Sequence, residues 1–356
     1  MKKLSVCILF GGMSPEHEVS LRSAEFVLNC LDPEKYNIFP VGITKNGDWV
    51  LFGGTDYSML PSGEWLNCPE NRRAAISPVR GQGLLSFEGD CVVREWIDVV
   101  FPVLHGENGE DGTVQGLLEL AGIPYVGPHV SASAVAMDKT LTKLVVDHAG
   151  IRQAQWALVR CGDVDSHPDS VMDGLERKFS YPMFVKPAGT GSSVGVSKVA
   201  SREDLKIALA KAGTYDDKIL VEEFIHGREI EVAVMGNDSP VASICGEIDS
   251  GVEFYDYDAK YITDTSVAYI PARIPVDVAE LVRDAAVKIY SAVGCQGLSR
   301  VDFFVTYEGE QVVFNEINTL PGFTSISMYP KLFAASGIPG PQLIDELLGL
   351  ALEASK

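Results

Sequence analysis

Phe184-Val185-Lys186-Pro187-Ala188-Gly189-Thr190-Gly191-Ser192-Ser193-Val194-Gly195-Val196-Ser197-Lys198-Val199 joins a short apolar strand, a run of small residues and a second strand. Glycines let backbone N–H groups approach phosphate oxygens, and serine hydroxyls add donors. No Gly-Lys-Ser/Thr closes the run, so it is not a Walker A loop. Its glycines follow G-x-G-x-x-x-G and lead into a strand, which separates it from the dinucleotide-binding fingerprint. Strand–loop–strand implies a hairpin able to fold over phosphates, with Lys186 on the inbound strand as a cation. Taken alone, the loop leaves open a mobile surface hairpin that holds no ligand.

The flanking chain places this hairpin in a unit of its own. Residues 131–149 read as one helix containing Asp138 and Lys139, followed by strands at 156–159, 182–186, 196–199 and 218–223 and helices at 170–179 and 203–211. The last strand runs into Glu222-Glu223-Phe224-Ile225-His226-Gly227-Arg228-Glu229. Its acidic groups suit an adenine amino group and ribose hydroxyls, or are simply solvated.

From residue 224 the pattern changes to long alternating strands at 229–235, 241–247, 298–306 and 311–317, with helices at 278–292 and 341–354. The turn Tyr307-Glu308-Gly309-Glu310 makes Arg300-Val301-Asp302 and Asn315-Glu316-Ile317-Asn318 neighbours on antiparallel strands. Side-chain alternation puts Glu316 and Asn318 on one face, with Asp302 opposite them. Two carboxylates and an amide oxygen suit Mg²⁺ bridging phosphates. Without a local His/Cys set, zinc does not fit. A solvated sheet face is the competing reading, and Phe303, Phe304, Val313 and Phe314 weigh against it.

Toward the N-terminus, residues 4–10 read as a buried strand, a helix starts near Ser20, and a second strand spans 37–43. This β-α-β start implies a parallel sheet. Residues 45–90 read as an inserted stretch of short strands and loops. A buried strand at 97–104 ends at His105, and a short strand at 123–127 follows. The loop His105-Gly106-Glu107-Asn108-Gly109-Glu110-Asp111-Gly112 lacks calcium-loop spacing. Ligands gather at strand C-terminal ends in such sheets, so Ser14, Glu16 and His105 share one edge. A satisfied structural histidine and a substrate contact both fit His105. Three units follow: 1–127 as a parallel α/β substrate domain, 128–223 with the glycine/serine lid, and 224–356 with the carboxylate hairpin.

The 356 residues carry 29 Lys+Arg against 49 Asp+Glu, a formal charge of −20. Such acidity argues against a non-specific nucleic-acid binder, which needs clustered cations. Seven scattered cysteines without a Cys-x-x-Cys pair do not form a disulfide framework. The first apolar run stops at Gly11-Gly12, too short for a secretory signal. No stretch approaches the ~20 apolar residues of a membrane span. A soluble cytoplasmic protein is expected, with no nucleic-acid or membrane partner.

Taken in order, these motifs resemble the ATP-grasp fold, and along nearly the whole chain they are similar to the D-alanine–D-alanine ligase family. The matching segments are Phe10-Gly11-Gly12 through Glu16 and Glu18-Val19-Ser20, His105-Gly106 through Glu110-Asp111-Gly112, and the lid loop with Lys186. Further along come Phe254-Tyr255-Asp256-Tyr257-Asp258-Ala259-Lys260-Tyr261, Arg300-Val301-Asp302 and Asn315-Glu316-Ile317-Asn318-Thr319-Leu320-Pro321-Gly322. The resemblance implies an α/β architecture of three domains, α+β in its C-terminal parts. The nucleotide would bind between the central and C-terminal domains.

The implied reaction has two steps. ATP phosphorylates the carboxylate of one D-alanine, and the amine of a second attacks the acyl phosphate. By the family pattern, Lys139, Lys186 and Ser193 contact ATP phosphates, while Glu222, Phe224, Ile225 and Glu229 frame adenine and ribose. Asp302, Glu316 and Asn318 bind two Mg²⁺ ions, or Mn²⁺ in their place. Glu16 pairs with the first substrate's ammonium near His105, and Ser192 and Tyr261 hydrogen-bond toward Glu16. Arg300 and the backbone N–H of Gly322 stabilise the oxyanion. Lys260 and Ser327 hold the second carboxylate, and the apolar Met328 suits a methyl group. The resemblance also implies a homodimer. Two other readings keep part of this pattern: a different ATP-grasp carboxylate–amine ligase, and a nucleotide-binding sensor on the same fold.

Overall fold

A computed structural model describes residues 3–191, 194–249 and 267–355 of the chain. The first sheet grows from an uninterrupted apolar run. β1 (Leu4–Gly11) is buried from Ser5 onward and leads through α1 (His17–Cys30) into β2 (Tyr36–Ile43). The two strands pair in parallel from Leu4↔Tyr36 to Gly11↔Ile43. The helix begins three residues earlier than expected, which puts Glu16 at its N-cap position. A carboxylate there faces the positive end of the helix dipole.

The stretch expected to be an insertion extends this sheet. β3 (Trp49–Leu51), the single turn α2 (Met59–Ser62), β4 (Arg72–Ile76), β5 (Leu84–Glu88) and β6 (Cys91–Glu95) precede β7 (Val99–Leu104). β7 returns beside β1, so the strand order is β6-β5-β4-β3-β2-β1-β7. Trp65, in a 3₁₀ turn of this stretch, is fully buried with its ring 5.1 Å from that of Phe10. It presses so closely on β2 that a Cβ at Gly42 would lie 2.2 Å from its ring. The strand expected at 123–127 reduces to a single bridge between Val100 and Tyr125.

After α3 (Thr113–Ala121), the helix expected at 131–149 is two helices, α4 (Val130–Met137) and α5 (Lys139–His148). Asp138 is extended between them, and its side chain accepts the N–H groups of Thr140 at 2.9 Å and Leu141 at 3.2 Å. An N-cap outcompetes helix continuation at that residue because it satisfies donors the second helix would leave bare. The second sheet contains β8 (Trp156–Arg160), then, after α6 (Cys161–Ser166) and α7 (Pro168–Lys178), β9 (Met183–Pro187) and β10 (Ser197–Val199). α8 (Arg202–Gly213) leads to β11 (Lys218–Glu223), and the order is β10-β9-β11-β8.

The third sheet is antiparallel: β12 (Gly227–Met235), β13 (Val241–Ala242), β14 (Gly246–Asp249) and β15 (Val267–Tyr269), then β16 (Leu298–Thr306) and β17 (Val312–Asn318). The strand expected at 241–247 breaks in two. Ser243 is the cause: its hydroxyl, in place of a ladder carbonyl, accepts the Ala233 N–H at 3.0 Å. α9 (Val276–Val293) buries Val278, Val282, Ala285, Ile289 and Val293 at helical spacing against this sheet. Two further helices close the chain, α10 (Met328–Ala335), which has no counterpart in the sequence reading, and α11 (Gly340–Ala354). α11 does not stay with its neighbours in sequence. Leu343, Ile344, Leu347 and Leu348 pack in one core with Val6, Ile8 and Phe10 of β1 and Val99 and Phe101 of β7. Each such side chain contributes about 1.5–3 kcal/mol by burial. Both ends of the chain therefore fix the loops that follow β1 and β7.

Among the described residues no helix is long and apolar enough to cross a membrane. The seven cysteines are free thiols, and Cys7, Cys245 and Cys295 are buried.

Candidate functional site

Two clefts meet at Glu316. One is lined by Lys139, Lys143, Lys186, Glu222, Asn315 and Glu316 among others. The second, open to solvent, is lined by Glu16, His105, Glu110, Arg300, Glu316, Asn318 and Gly322. Part of the sequence-derived candidates thus falls into a cationic group and a polar group that share Glu316.

The cationic cleft is built on the second sheet. Leu220 of β11 pairs with Lys186 of β9, so Lys186 and Glu222 project from one face as diagonal neighbours. Lys186 Nζ lies 2.6 Å from one oxygen of Glu222, and Lys143 Nζ lies 2.5 Å from the other. Burial penalises the charged carboxylate, and the two ammonium groups more than reverse that penalty, bringing Glu222 down to about 2. Lys139 opens α5 against the lid: its N–H donates to the Ala188 carbonyl at 3.0 Å and its Nζ to the Thr190 carbonyl at 2.5 Å. On the lid itself the Gly189 N–H is held by Asp216 at 2.7 Å. Ser192 and Ser193 lie outside the described residues. Phe224, Ile225 and Glu229 sit half-buried where β11 passes into β12, outside the lining of either cleft. Phe224 lies 6.1 Å from the Phe184 ring, with Lys198 Nζ 4.3 Å above its own ring.

In the second cleft the loop after β1 is tied to the end of β7. Ser14 Oγ donates to the His105 carbonyl at 2.7 Å and accepts the Glu16 N–H at 3.2 Å. The Glu16 carboxylate comes so close to Gly106, whose φ is +71°, that a Cβ there would lie 2.5 Å from Oε2. Only glycine accommodates both that backbone and that approach. A Cβ at Gly191 would lie 3.2 Å from the same oxygen, so Glu16 also faces the lid.

His105 resolves in favour of structure. Its Nδ1 lies 3.0 Å from the Leu320 carbonyl, which can only accept, and its Nε2 lies 3.0 Å from Ser23 Oγ. The proton therefore sits on Nδ1, and Nε2 accepts from the hydroxyl. Burial lowers the pKa of the ring, so it is held neutral. The ring lines the cleft, but both nitrogens are used within the protein.

Glu110, quoted in the sequence only as part of a motif, is the second fastener. It accepts the Gly106 N–H at 2.8 Å and the Leu320 N–H at 3.2 Å. Burial, then the nearby charge of Glu16, pushes its carboxyl up to about 8. A lone acidic residue in a glycine-rich loop carries no local signal of this role, because its partner is 210 residues away.

The third sheet supplies the remaining groups. Asp302 is in register with Glu316 on one side and Glu231 on the other, and Arg300 is in register with Asn318. Arg300 grips both Asp302 oxygens, at 2.7 and 2.6 Å, and lies 3.2 Å from Glu231 Oε2. Burial opposes its charge, but Asp302, Glu231 and Glu316 outweigh it and hold Arg300 well above its ordinary pKa. Asn318 Nδ2 donates to Asp302 at 3.0 Å. The oxygens of Asp302, Glu316 and Asn318 thus share one sheet face, a donor set that fits a hard divalent cation such as Mg²⁺. Among the described residues no group of three or more His, Cys, Asp or Glu side chains is gathered closely enough to hold a metal ion, so the candidate set is two carboxylates and one amide oxygen.

Ser327 precedes α10, and its hydroxyl binds the N–H of Thr324 at 3.0 Å and the Thr324 hydroxyl at 2.8 Å. Met328 departs from expectation. It is buried in the core, with Cε directed at Gly246, and lines neither cleft. Its apolar character is explained by packing and carries no argument about a substrate methyl. Lys260 and Tyr261 lie outside the described residues.

Comparison with known proteins agrees with this arrangement. A family model described as D-ala D-ala ligase N-terminus matches residues 5–128, and one described as D-ala D-ala ligase C-terminus matches residues 145–349. The D-alanine–D-alanine ligase of Acetivibrio thermocellus is 50% identical over 363 aligned positions, covering 99% of this chain and 96% of that protein. That of Caldicellulosiruptor bescii is 48% identical, covering 100% and 97%. Among solved structures, the VanG D-Ala:D-Ser ligase from Enterococcus faecalis superposes with a TM-score of 0.89 at 39% identity, covering 98% of this chain and 100% of that one. The D-alanine–D-alanine ligase from Coxiella burnetii gives 0.86 at 36% identity, covering 100% and 95%.

Proposed function

The chain belongs to the D-alanine–D-alanine ligase family, and on that premise we propose that it joins two D-alanine molecules with ATP as the activating co-substrate. The observation that carries this reading is the meeting of a cationic cleft and a polar cleft at Glu316. A phosphoryl group bound in the first can be handed to a carboxylate bound in the second.

In the first step a carboxylate oxygen of D-alanine attacks the γ-phosphorus, the bond to the β-phosphate oxygen breaks, and ADP leaves. Lys139 and Lys186 hold the phosphates from the first cleft, and Glu16 holds the ammonium of the amino acid in the second. Positioning and charge neutralisation are what such a transfer asks of a protein. Asp302, Glu316 and Asn318 would hold Mg²⁺, which would supply charge neutralisation of the phosphates. In the second step the amine of another D-alanine attacks the acyl carbon and loses a proton, and phosphate departs. The oxyanion that forms between these events faces Arg300 and the Gly322 N–H. Losing one such donor costs about 10²–10³ in turnover. In this reading residues 1–127 bear the first amino acid, 128–223 the nucleotide lid, and 224–356 the metal and second-substrate groups.

D-Alanine as acceptor follows the curated relatives at 50% and 48% identity. The similar D-Ala:D-Ser ligase makes D-serine the competing acceptor. A competition assay with equimolar D-alanine, D-serine and D-lactate, read by mass spectrometry of the products, decides between them. D-Alanyl-D-alanine as the dominant product supports the assignment, and preferential incorporation of either competitor overturns it. The reading also includes cytoplasmic residence and a homodimer, and light scattering on the purified protein tests the latter.

A further inference from the structure

We propose that Lys143 is a positioning residue for nucleotide binding: by taking one oxygen of Glu222 from beneath the cleft, it keeps that carboxylate from neutralising Lys186. The proposal rests on the reading that this cleft takes a nucleoside triphosphate.

Lys143 stands one helical turn after Lys139 on α5, and its side chain is only 2% exposed. An ammonium group so buried is costly unless it is paired. Its partners are all internal. Nζ lies 2.5 Å from Glu222 Oε1 and 3.4 Å from Gln153 Oε1. Gln153 is itself fixed, since its Nε2 donates to the Lys143 carbonyl at 2.8 Å and to Asp147 at 2.6 Å. Lys186, by contrast, is 16% exposed and binds the other oxygen of Glu222.

Two ammonium groups face one carboxylate, leaving the cluster with a net positive charge at the cleft. Without Lys143, Glu222 and Lys186 would form a neutral pair, and a phosphate would have to break that pair to reach Lys186. With Lys143 in place, Glu222 stays ionised and half-occupied, so Lys186 keeps its attraction for a triphosphate. Lys143 lines the floor of the cleft and acts through Glu222.

The test measures binding of a non-hydrolysable ATP analogue, and of adenosine, by calorimetry on the full chain. Lys143→Met should weaken the triphosphate by about tenfold or more, the scale of one close buried charge coupling. Adenosine should be affected far less, whereas a merely structural defect would weaken both alike. Glu222→Gln removes the charge that Lys143 restrains. Glu222→Gln and Glu222→Gln/Lys143→Met should therefore bind the triphosphate within about twofold of each other, because coupled residues are non-additive. This second comparison decides the matter even if Lys143→Met alone does not fold. Unchanged triphosphate affinity in Lys143→Met would overturn the proposal. So would a double variant that binds much more weakly than Glu222→Gln, or that fails to fold where Glu222→Gln folds. Because binding is read without turnover, a wild-type protein that binds the analogue but releases no phosphate with D-alanine would contradict the ligase reading alone.

Discussion

Glu316 stands directly opposite Asp302 across β16 and β17, and it lines both clefts. Glu316→Gln keeps the shape and removes the charge. Turnover should fall by at least about 10²–10³, in line with loss of one preorganised electrostatic contact. The thermal midpoint should stay close to wild type. Near-normal turnover in a steady-state phosphate assay would refute a metal role for this residue.

Arg300 is held as a fork on Asp302 with Glu231 beside it. A lysine carries the charge but cannot reproduce two parallel donors. Arg300→Lys should lower kcat by about 10² while leaving the KM for ATP within a few-fold, because the oxyanion forms after nucleotide is bound. Arg300→Ala leaves buried carboxylates uncompensated and should also destabilise the fold, by about 3–5 kcal/mol. Chemical denaturation separates the two variants.

Glu110 gives a pH dependence of definite sign. Its carboxyl rises from the ordinary 4.5 to about 8 on folding. The folded protein therefore keeps a proton that the unfolded chain has lost anywhere between those values. The stabilisation tied to that proton is complete below pH 4.5 and drains away as pH climbs toward 8, at up to about 1.4 kcal/mol per pH unit. Glu110→Gln, which cannot titrate, should show a flatter dependence over this window. Urea titrations of both proteins from pH 4.5 to 8.5 supply the comparison, and parallel curves would count against the assignment.

Trp65 gives the 45–90 stretch a testable role. Fully buried against Phe10 and Gly42, it backs the strand whose end carries the Gly11-Gly12 turn toward Glu16. Trp65→Ala should cost about 3–5 kcal/mol. If Glu16 holds the first amino acid as proposed, the KM for D-alanine should rise more than that for ATP, since the cavity opens behind the strand that leads to Glu16.

The β1-α1-β2 start, the hairpin of β16 and β17, and the register of Asp302 with Glu316 were all legible from periodicity, because each follows from neighbouring residues. So was the antiparallel pairing of β9 with β10, with Lys186 on the inbound strand. What stayed hidden depends on distant partners. Asp138 ends α4 only because it caps α5, Ser243 breaks a strand by bonding Ala233, and Met328 is apolar because α10 packs on Gly246. The same holds within the site. Nothing near Lys143 or Glu110 in sequence announces Glu222 or Leu320. His105 could not be assigned a role until both its nitrogens had partners.

In the proposed reaction a D-alanine carboxylate oxygen becomes bonded to the γ-phosphorus of ATP. Turnover with D-alanine carrying ¹⁸O in both carboxylate oxygens, followed by mass analysis of the released phosphate, follows that oxygen. One ¹⁸O atom is expected in each phosphate, with ADP as the nucleotide product. Phosphate free of label, or AMP and pyrophosphate in place of ADP, would contradict it.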